Sequence, residues 1–443
     1  MSFNQSYSSD SRNKPASDDQ HIDFSMDEFC NLLSQPPIES KLYRIIPLVY
    51  PYLSTVDILV CASASSTLNH VFDYVYNKPN FQKLSYIHDA LFMFNKFLFH
   101  LPKIREKNLS KIEALDLSNI QETLYDPVNP NFFRILVQYC RKLLILDLSH
   151  SDFFMHKSLP KHHWQLPHLT VLNLSDCSQV TDEMLVSIAR SCRAITHVAL
   201  DNLTRHKGQG LAAFASDCDS LTSVSVRFNT AMEDQALTAL AKFRHIRLFT
   251  LDLTGCKKIT SVGLTMIARY CAHLTRLSLS QTVCTLIELR KFICILRSTH
   301  VLDISGCKQL DKNQVANWIC NSQFLKLKEI TMDTSIANAI VQFQGKNNNA
   351  TTVPHVTNLT LTQLAEHTPM SCLYELLTVF PSLERVSFQR AYFETDFMLG
   401  TYRAPSPEDE AYITDANLER YNRTQTGVHA VMLKEEDQNL LHW

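Results

Sequence analysis

Thirteen cysteines have the most obvious chemical potential in this chain, because thiols can bind zinc, form disulfides or act as nucleophiles. Zinc sites usually contain a C-x-x-C pair, and the sequence has none. The cysteines instead recur at fixed distances from apolar residues. Cys140, Cys192, Cys218 and Cys271 each lie three residues before an apolar residue, and Cys177, Cys256 and Cys307 each lie three residues after one. This placement and the odd count predict reduced thiols that are buried as small hydrophobes.

Other candidates for catalysis or metal binding are weak. His162 and His163 are adjacent, but two neighbouring histidines without further ligands are usually solvated. The sequence contains neither a glycine-rich phosphate loop nor a nucleophile motif. We therefore expect a non-catalytic protein that needs no cofactor or metal.

The cysteines belong to a repeat whose best copies are L-T-V-L-N-L-S-D-C at 169–177, L-F-T-L-D-L-T-G-C at 248–256 and T-H-V-L-D-I-S-G-C at 299–307. The central apolar residue of each copy, here called the strand anchor, recurs at intervals of 25 to 31 residues. The anchors are Leu115, Leu146, Leu172, Val198, Val224, Leu251, Leu277, Leu302, Ile330, Leu359 and Val386. A period in this range with L-x-x-L-x-L is typical of leucine-rich repeats.

Each repeat should contain one strand and one helix. Leu169, Leu172 and Leu174 should point into the core, with polar side chains alternating to the other face. Thr181 or Asp182 can cap the helix that follows. Because one strand and one helix cannot bury their apolar faces alone, the repeats must stack. The predicted fold is α/β, a horseshoe-shaped solenoid with a parallel sheet inside and helices outside.

The full pattern resembles the cysteine-containing leucine-rich repeats over residues 110–390. We interpret Asn202 and Thr282 as occupying the position of the turn cysteine in two repeats. Residues 344–352, Q-G-K-N-N-N-A-T-T, break the pattern and predict a polar loop insertion.

Proteins with this repeat type often carry an F-box before the array, and residues 40–85 resemble one. Y-L-S-T-V-D-I-L at 52–59 is similar to the middle of an F-box, and Pro79, Phe81 and Leu84 are similar to its end, although Leu68 replaces the usual tryptophan. The resemblance implies a small helical domain that binds a Skp-type adaptor through apolar residues. These are Ile45, Ile46, Val49, Leu53, Ile58, Leu59 and Leu68. The alternative is a plain helical cap that covers the first repeat.

The remaining segments are less informative. Residues 1–25 are polar and should be disordered, 86–109 should join the helical domain to the repeats, and 391–443 should form a C-terminal cap or tail. A net charge of -2 gives no reason to expect nucleic acid as a partner. The chain shows neither a signal peptide nor an apolar run of spanning length. We therefore expect no membrane partner and a cytoplasmic or nuclear location.

The strand face should carry the substrate, since polar residues alternate with the anchors. Candidate substrate-binding residues are Asp147, Asp201, Arg227, Asp252, Arg276 and Asp303. Because aspartates outnumber the arginines, they predict a basic or polar protein segment as the ligand. In the alternative interpretation, the aspartates only keep an exposed strand face soluble.

Two classes of function remain. The resemblance implies the substrate receptor of an SCF-type (Skp, cullin, F-box) ubiquitin ligase, with a Skp-type adaptor, a cullin scaffold and a protein substrate as partners. The alternative is an interaction scaffold of the cell-cycle or DNA-repair type with no connection to a ligase.

Overall fold

The computed structural model describes residues 83–85, 113–118, 132–150, 164–244, 247–291, 299–321, 326–346, 353–364, 368–390, 413, 415–424 and 428–433. The chain divides into two compact units, Met1–Val75 and Tyr76–Trp443. All described residues belong to the second unit. No helix among them is both long enough and apolar enough to cross a bilayer.

The second unit is built on a parallel sheet in which thirteen strands follow one another in chain order. The strands are β1 (Lys83–Ser85), β2 (Ala114–Asp116), β3 (Ile145–Asp147), β4 (Val171–Asn173), β5 (His197–Ala199), β6 (Ser223–Ser225), β7 (Thr250–Asp252), β8 (Arg276–Ser278), β9 (Val301–Asp303), β10 (Glu329–Asp333), β11 (Asn358–Leu364), β12 (Arg385–Arg390) and β13 (His429–Met432). A parallel sheet in strict sequence order is the topology of a solenoid, because each strand pairs only with its neighbours in the chain.

Helices lie between most strands. They are α1 (Phe132–Tyr139), α2 (Asp182–Ser191), α3 (Gln209–Asp217), α4 (Asp234–Arg244), α5 (Ser261–Tyr270), α6 (Leu286–Lys291), α7 (Lys312–Asn321), α8 (Thr334–Lys346), α9 (Ser371–Val379) and α10 (Asp415–Thr424). Strand and helix alternate as the repeat pattern predicts, and the leucine-rich-repeat horseshoe fold is confirmed.

The strand anchors form one continuous line across the sheet. Leu115 pairs with Leu146, Leu146 with Leu172, and the same register continues through every predicted anchor to Val386. All eleven anchors are buried. A period-two strand places its alternate side chains on the opposite face, so the register also aligns the polar residues between the anchors.

Two strands lie beyond the eleven predicted repeats. β1 pairs with β2 through Leu84 and Leu115, although the F-box resemblance includes Leu84 in the N-terminal helical segment. β13 pairs with β12 and forms the C-terminal edge of the described sheet.

Residues 344–346 of the predicted polar insertion form the end of α8, and 347–352 lie outside the described residues.

Helix α2 shows how the sequence determines one repeat. Thr181 has extended backbone, and its hydroxyl accepts a hydrogen bond from the Met184 N–H, so Thr181 is the N-cap. Leu185 and Ile188 are fully buried below it. The helix ends at Cys192, whose N–H donates to the Ile188 carbonyl.

In most repeats the turn after the strand contains one residue with positive φ, where glycine carries no steric penalty. Gly255 (φ 71°) and Gly306 (φ 64°) occupy this position in two repeats, and Asn202 occupies it with φ 54°. Asn202 is therefore not at the position of the turn cysteine, as the sequence interpretation had it. Leu203 stands there, because it lies five residues after its anchor as Cys177 does.

The ten described cysteines are buried, and none of them forms a disulfide. At the turn position, the thiol of Cys177 donates to the Leu148 carbonyl in the preceding repeat at 3.1 Å, and Cys256 and Cys307 make equivalent contacts at 3.0 Å. Burial raises the pKa of the Cys192 and Cys271 thiols to about 12, so these groups are protonated and unreactive at neutral pH. The structural interpretation of the cysteines agrees with this environment.

Replacing Cys192 or Cys271 with serine should lower the free energy of unfolding by about 1–3 kcal/mol each, because each change buries a poorly paired hydroxyl. Cys192 Sγ is 3.4 Å from the Trp164 carbonyl, a distance that the shorter C–O bond of serine does not span well. Urea unfolding of each variant measures the loss. Partner binding should fall only as far as the folded fraction does, and a loss of binding at an unchanged melting temperature would contradict the structural role.

Candidate functional site

The polar residues of the strands form two rows on the face opposite the anchors. The first row follows the strand register and contains Asp147, Asn173, Ser225, Asp252, Ser278 and Asp303. The second row lies two residues further along each repeat and contains Ser149, Asp201, Arg227, Thr254 and Ser305. The sequence predicted both rows, and the strand register brings their members side by side.

Most aspartates of the first row bind the hydroxyl residue two positions further on. Oδ1 of Asp252 accepts from the Thr254 N–H (2.9 Å) and hydroxyl (2.6 Å), and Oδ1 of Asp303 accepts from the same two groups of Ser305 (2.9 and 2.8 Å). Asp147 makes this pair of bonds with Ser149. These carboxylates therefore hold the chain where each strand ends, a structural role that the solubility interpretation did not include.

Three carboxylates in the middle of the array influence one another. Burial raises the pKa of Asp201 and of Asp303 to about 6, and hydrogen bonds from Ser225 and Ser305 oppose this rise. The charge of Asp252 adds to the rise at both residues. Arg227 partly balances this negative charge, since its Nε lies 3.8 Å from Asp252 Oδ2.

The guanidinium of Arg227 lies on the polar strand face, and its hydrogen-bonding groups are only partly paired. Its Nε atom is buried and has no hydrogen-bond partner among the described residues. Its guanidinium lies 5.7 Å from the ring of Phe228, whose side chain is 41% exposed. A buried donor without a partner is costly, so the position of Arg227 is not explained by hydrogen bonding of its Nε within the repeats.

The strand face contains a groove of about 1250 Å³ that extends over β6 to β12. Four predicted substrate-binding residues line it: Arg227, Asp252, Arg276 and Asp303. Asp147 and Asp201 do not line it. Asp201 instead binds the Ser225 hydroxyl and the Arg227 N–H, and so supports the groove from one side.

The charge of this groove differs from the sequence expectation. Among the described residues, the lining contains five cationic side chains, Arg227, Lys257, Arg276, Lys308 and Arg385, and three carboxylates, Asp252, Asp303 and Glu329. Each carboxylate accepts at least one hydrogen bond from a neighbour. The groove is therefore basic on balance, whereas counting the aspartates of the two rows had predicted an acidic surface.

Three groove cations were missed at the sequence level. Lys257 and Lys308 directly follow the turn cysteines Cys256 and Cys307, and Arg385 lies in the same register position as Arg276. The repeat alignment contained this information, because residues at equal repeat positions meet on one side of the sheet. The predicted adaptor-binding residues, by contrast, lie outside the described part of the chain.

No cluster of three or more His, Cys, Asp or Glu side chains that could bind a metal occurs among the described residues. The buried His206 is paired through Nδ1 with Asp182 Oδ1 at 2.8 Å, and Asp182 also accepts from the N–H groups of Lys207 and Gly210. These bonds join α2 to the next repeat, so this pair is structural.

Comparison with known proteins agrees with the repeats. The family described as Leucine Rich repeat matches residues 165–189 and 248–268. The chain is 31% identical to the F-box/LRR-repeat protein 4 of Bos taurus over 151 residues, which cover 33% of this chain and 24% of that protein. It is 34% identical to the Antagonist of mitotic exit network protein 1 of Eremothecium gossypii over 135 residues, which cover 29% of this chain and 28% of that protein. The chain thus spans about a quarter of the length of the curated relatives that it matches.

Solved structures with a similar chain course include the yeast Rad7 and Elc1 complex, with a TM-score of 0.49 and 14% identity over 79% of this chain and 88% of that chain. An internalin (InlF) from Listeria monocytogenes has a TM-score of 0.39 and 14% identity over 79% of this chain and 89% of that chain. Both likenesses are remote, and the fold assignment rests on the strand register of this chain itself.

Proposed function

We propose that this leucine-rich-repeat protein is the substrate-recognition subunit of an SCF-type ubiquitin ligase. The observation that carries the proposal is the combination of a wide polar groove on the repeat sheet with an F-box-like segment, residues 40–85, before the array. Similarity to a relative named as an F-box/LRR-repeat protein supports the same combination.

In this proposal the two parts of the chain have different partners. The apolar residues of the N-terminal segment, including Leu53 and Ile58, bind a Skp-type adaptor, which links the chain to a cullin scaffold. The groove holds a protein substrate. The chain supplies no catalytic group, and the gain in rate comes from holding the substrate near the ubiquitin-loaded enzyme. The complex acts in the cytoplasm or the nucleus.

The test is co-purification of the adaptor with the full-length chain. Wild-type protein should retain a Skp-type adaptor, and the double variant Leu53→Asp, Ile58→Asp should lose it, because each change places a charge in an apolar interface. Circular dichroism of the double variant checks that the repeats still fold.

A matched control separates the two surfaces. Arg276→Glu with Arg385→Glu changes two exposed groove residues and should leave adaptor binding intact. If the wild-type chain fails to bind any Skp-type adaptor, the ligase proposal is wrong.

The second candidate is a scaffold without a ligase partner. Similarity to the Antagonist of mitotic exit network protein 1 favours it, since the name of that relative describes a cell-cycle role and no ligase. A chain that captures protein ligands in the groove but no adaptor would have this function.

A further inference from the structure

The cations of the groove lie on its two rims. Arg276 is the first residue of β8 and Arg385 the first residue of β12, so both lie where strands begin. Lys257 and Lys308 lie in turns where strands β7 and β9 have ended. All four side chains are exposed and line the groove. An extended ligand lying across the strands would therefore meet positive charge on both sides.

These four cations are unpaired within the part of the chain that the structure describes. Within the described residues, none of Lys257, Arg276, Lys308 and Arg385 has a side-chain hydrogen bond or an ion pair. The groove carboxylates differ, because Asp252 and Asp303 are bonded to Thr254 and Ser305, and Glu329 accepts from Nδ2 of Asn358. The negative groups are thus used by the fold, while the positive groups remain available to a ligand.

The spacing of the cations sets a length for the ligand. β8 and β12 are separated by four strand intervals, which correspond to roughly 19 Å at the usual distance between paired strands. An extended peptide covers this distance with about six residues. Phe228 and Leu433 add apolar contacts near opposite ends of the groove.

We propose that the groove over β7 to β12 binds an acidic segment of a partner protein, extended across the strands. Carboxylates of the ligand about six residues apart contact Arg276 and Arg385, and neighbouring carboxylates contact Lys257 and Lys308. Where the partner is the substrate of the proposed ligase, this inference names its class. It replaces the basic ligand expected from the aspartates alone.

The test is direct binding of a fluorescein-labelled synthetic peptide of about twelve residues that contains two pairs of glutamates about six residues apart. Fluorescence anisotropy at low ionic strength should show saturable binding to the full chain, and added salt should weaken it. Arg276→Glu with Arg385→Glu should weaken binding at least about tenfold, and the milder Arg276→Gln with Arg385→Gln should weaken it less.

A control variant has the same change of charge elsewhere. Arg141→Glu with Arg193→Glu replaces two exposed arginines that do not line the groove, and it should retain the affinity of the wild type. An equal loss in this control would overturn the proposal, because only the total charge would then matter.

Peptides with other chemistry complete the test. A peptide with lysines in place of the glutamates should not bind. Equal binding of the lysine peptide would overturn the proposal. Binding of a phosphoserine version alone, or equal binding of oligothymidine, would also overturn it.

Adaptor co-purification is measured separately. A chain that binds the adaptor but not the glutamate peptide refutes this inference and leaves the ligase proposal standing, and the opposite result refutes only the ligase proposal.

Discussion

Replacing Asn229 with alanine should lower the free energy of unfolding by about 2–4 kcal/mol, because two buried backbone groups lose their partner. Asn229 is fully buried. Its Oδ1 accepts from the Leu203 N–H at 2.7 Å, and its Nδ2 donates to the Leu200 carbonyl at 2.7 Å. Alanine provides neither bond, and at a fully buried position both backbone groups are left without a partner.

A cysteine at the same position provides a graded comparison. Asn229 stands at the turn position where other repeats have Cys177 and Cys256, whose thiols donate to the equivalent carbonyls of the preceding repeats. Asn229→Cys should therefore keep the bond to the Leu200 carbonyl and lose only the bond from the Leu203 N–H. Urea unfolding should order the stabilities as wild type, Cys variant, Ala variant. An alanine variant as stable as the cysteine variant would show that the bond to the carbonyl contributes nothing.

The sequence predicted the repeat register because the apolar anchors are the residues that cannot be exposed. A shift of one residue in any strand would turn its anchor to the solvent face. The first and last strands of the array, whose sequences match the repeat pattern poorly, were harder to predict. Leu84 and Ala430 occupy the anchor line of β1 and β13, but their surroundings lack the L-x-x-L-x-L pattern, so composition alone does not mark them as strands.

The candidate site was predicted only in part. Period-two alternation placed Arg227, Asp252, Arg276 and Asp303 on one face, and all four line the groove. The net charge of the groove could not be predicted in this way, because aspartate has two roles in the repeat. Asp252 and Asp303 face the groove and also bind the following hydroxyl residue, and no pattern of residue types shows that this bond forms.

Asp201 and Asp303 predict an unusual dependence of stability on pH. In Asp201 and Asp303 burial raises the pKa from 3.8 to about 6, so the folded state favours the protonated form. The stability that these groups contribute is fully present below pH 3.8, and it is lost as the pH rises through about 6. Ionisation of these two aspartates therefore destabilises the repeats at neutral pH.

Asp303→Asn should consequently raise the free energy of unfolding at pH 7.5 by about 2–3 kcal/mol and change it little at pH 4. Asparagine keeps the bonds of the native side chain, as Asn173 shows in the equivalent position by accepting from the Ser175 N–H at 3.0 Å. Its amide can donate to the Ser278 hydroxyl, which now donates to Asp303 Oδ2 at 3.3 Å. Asp201→Asn should behave in the same way. Thermal and urea unfolding at the two pH values measure the effect.

The same substitution at Asp147 is the control, and it should have the opposite sign. Oδ2 of Asp147 accepts from Nδ2 of Asn173 at 3.0 Å, so an amide at this position would set two donors against each other. Asp147→Asn should lower the free energy of unfolding by about 1–2 kcal/mol at neutral pH.

If Asp303→Asn also destabilised the protein at pH 7.5, the carboxylate of Asp303 would be stabilising when charged. The cost of its burial would then be smaller than the gain from its three hydrogen bonds with Ser278 and Ser305.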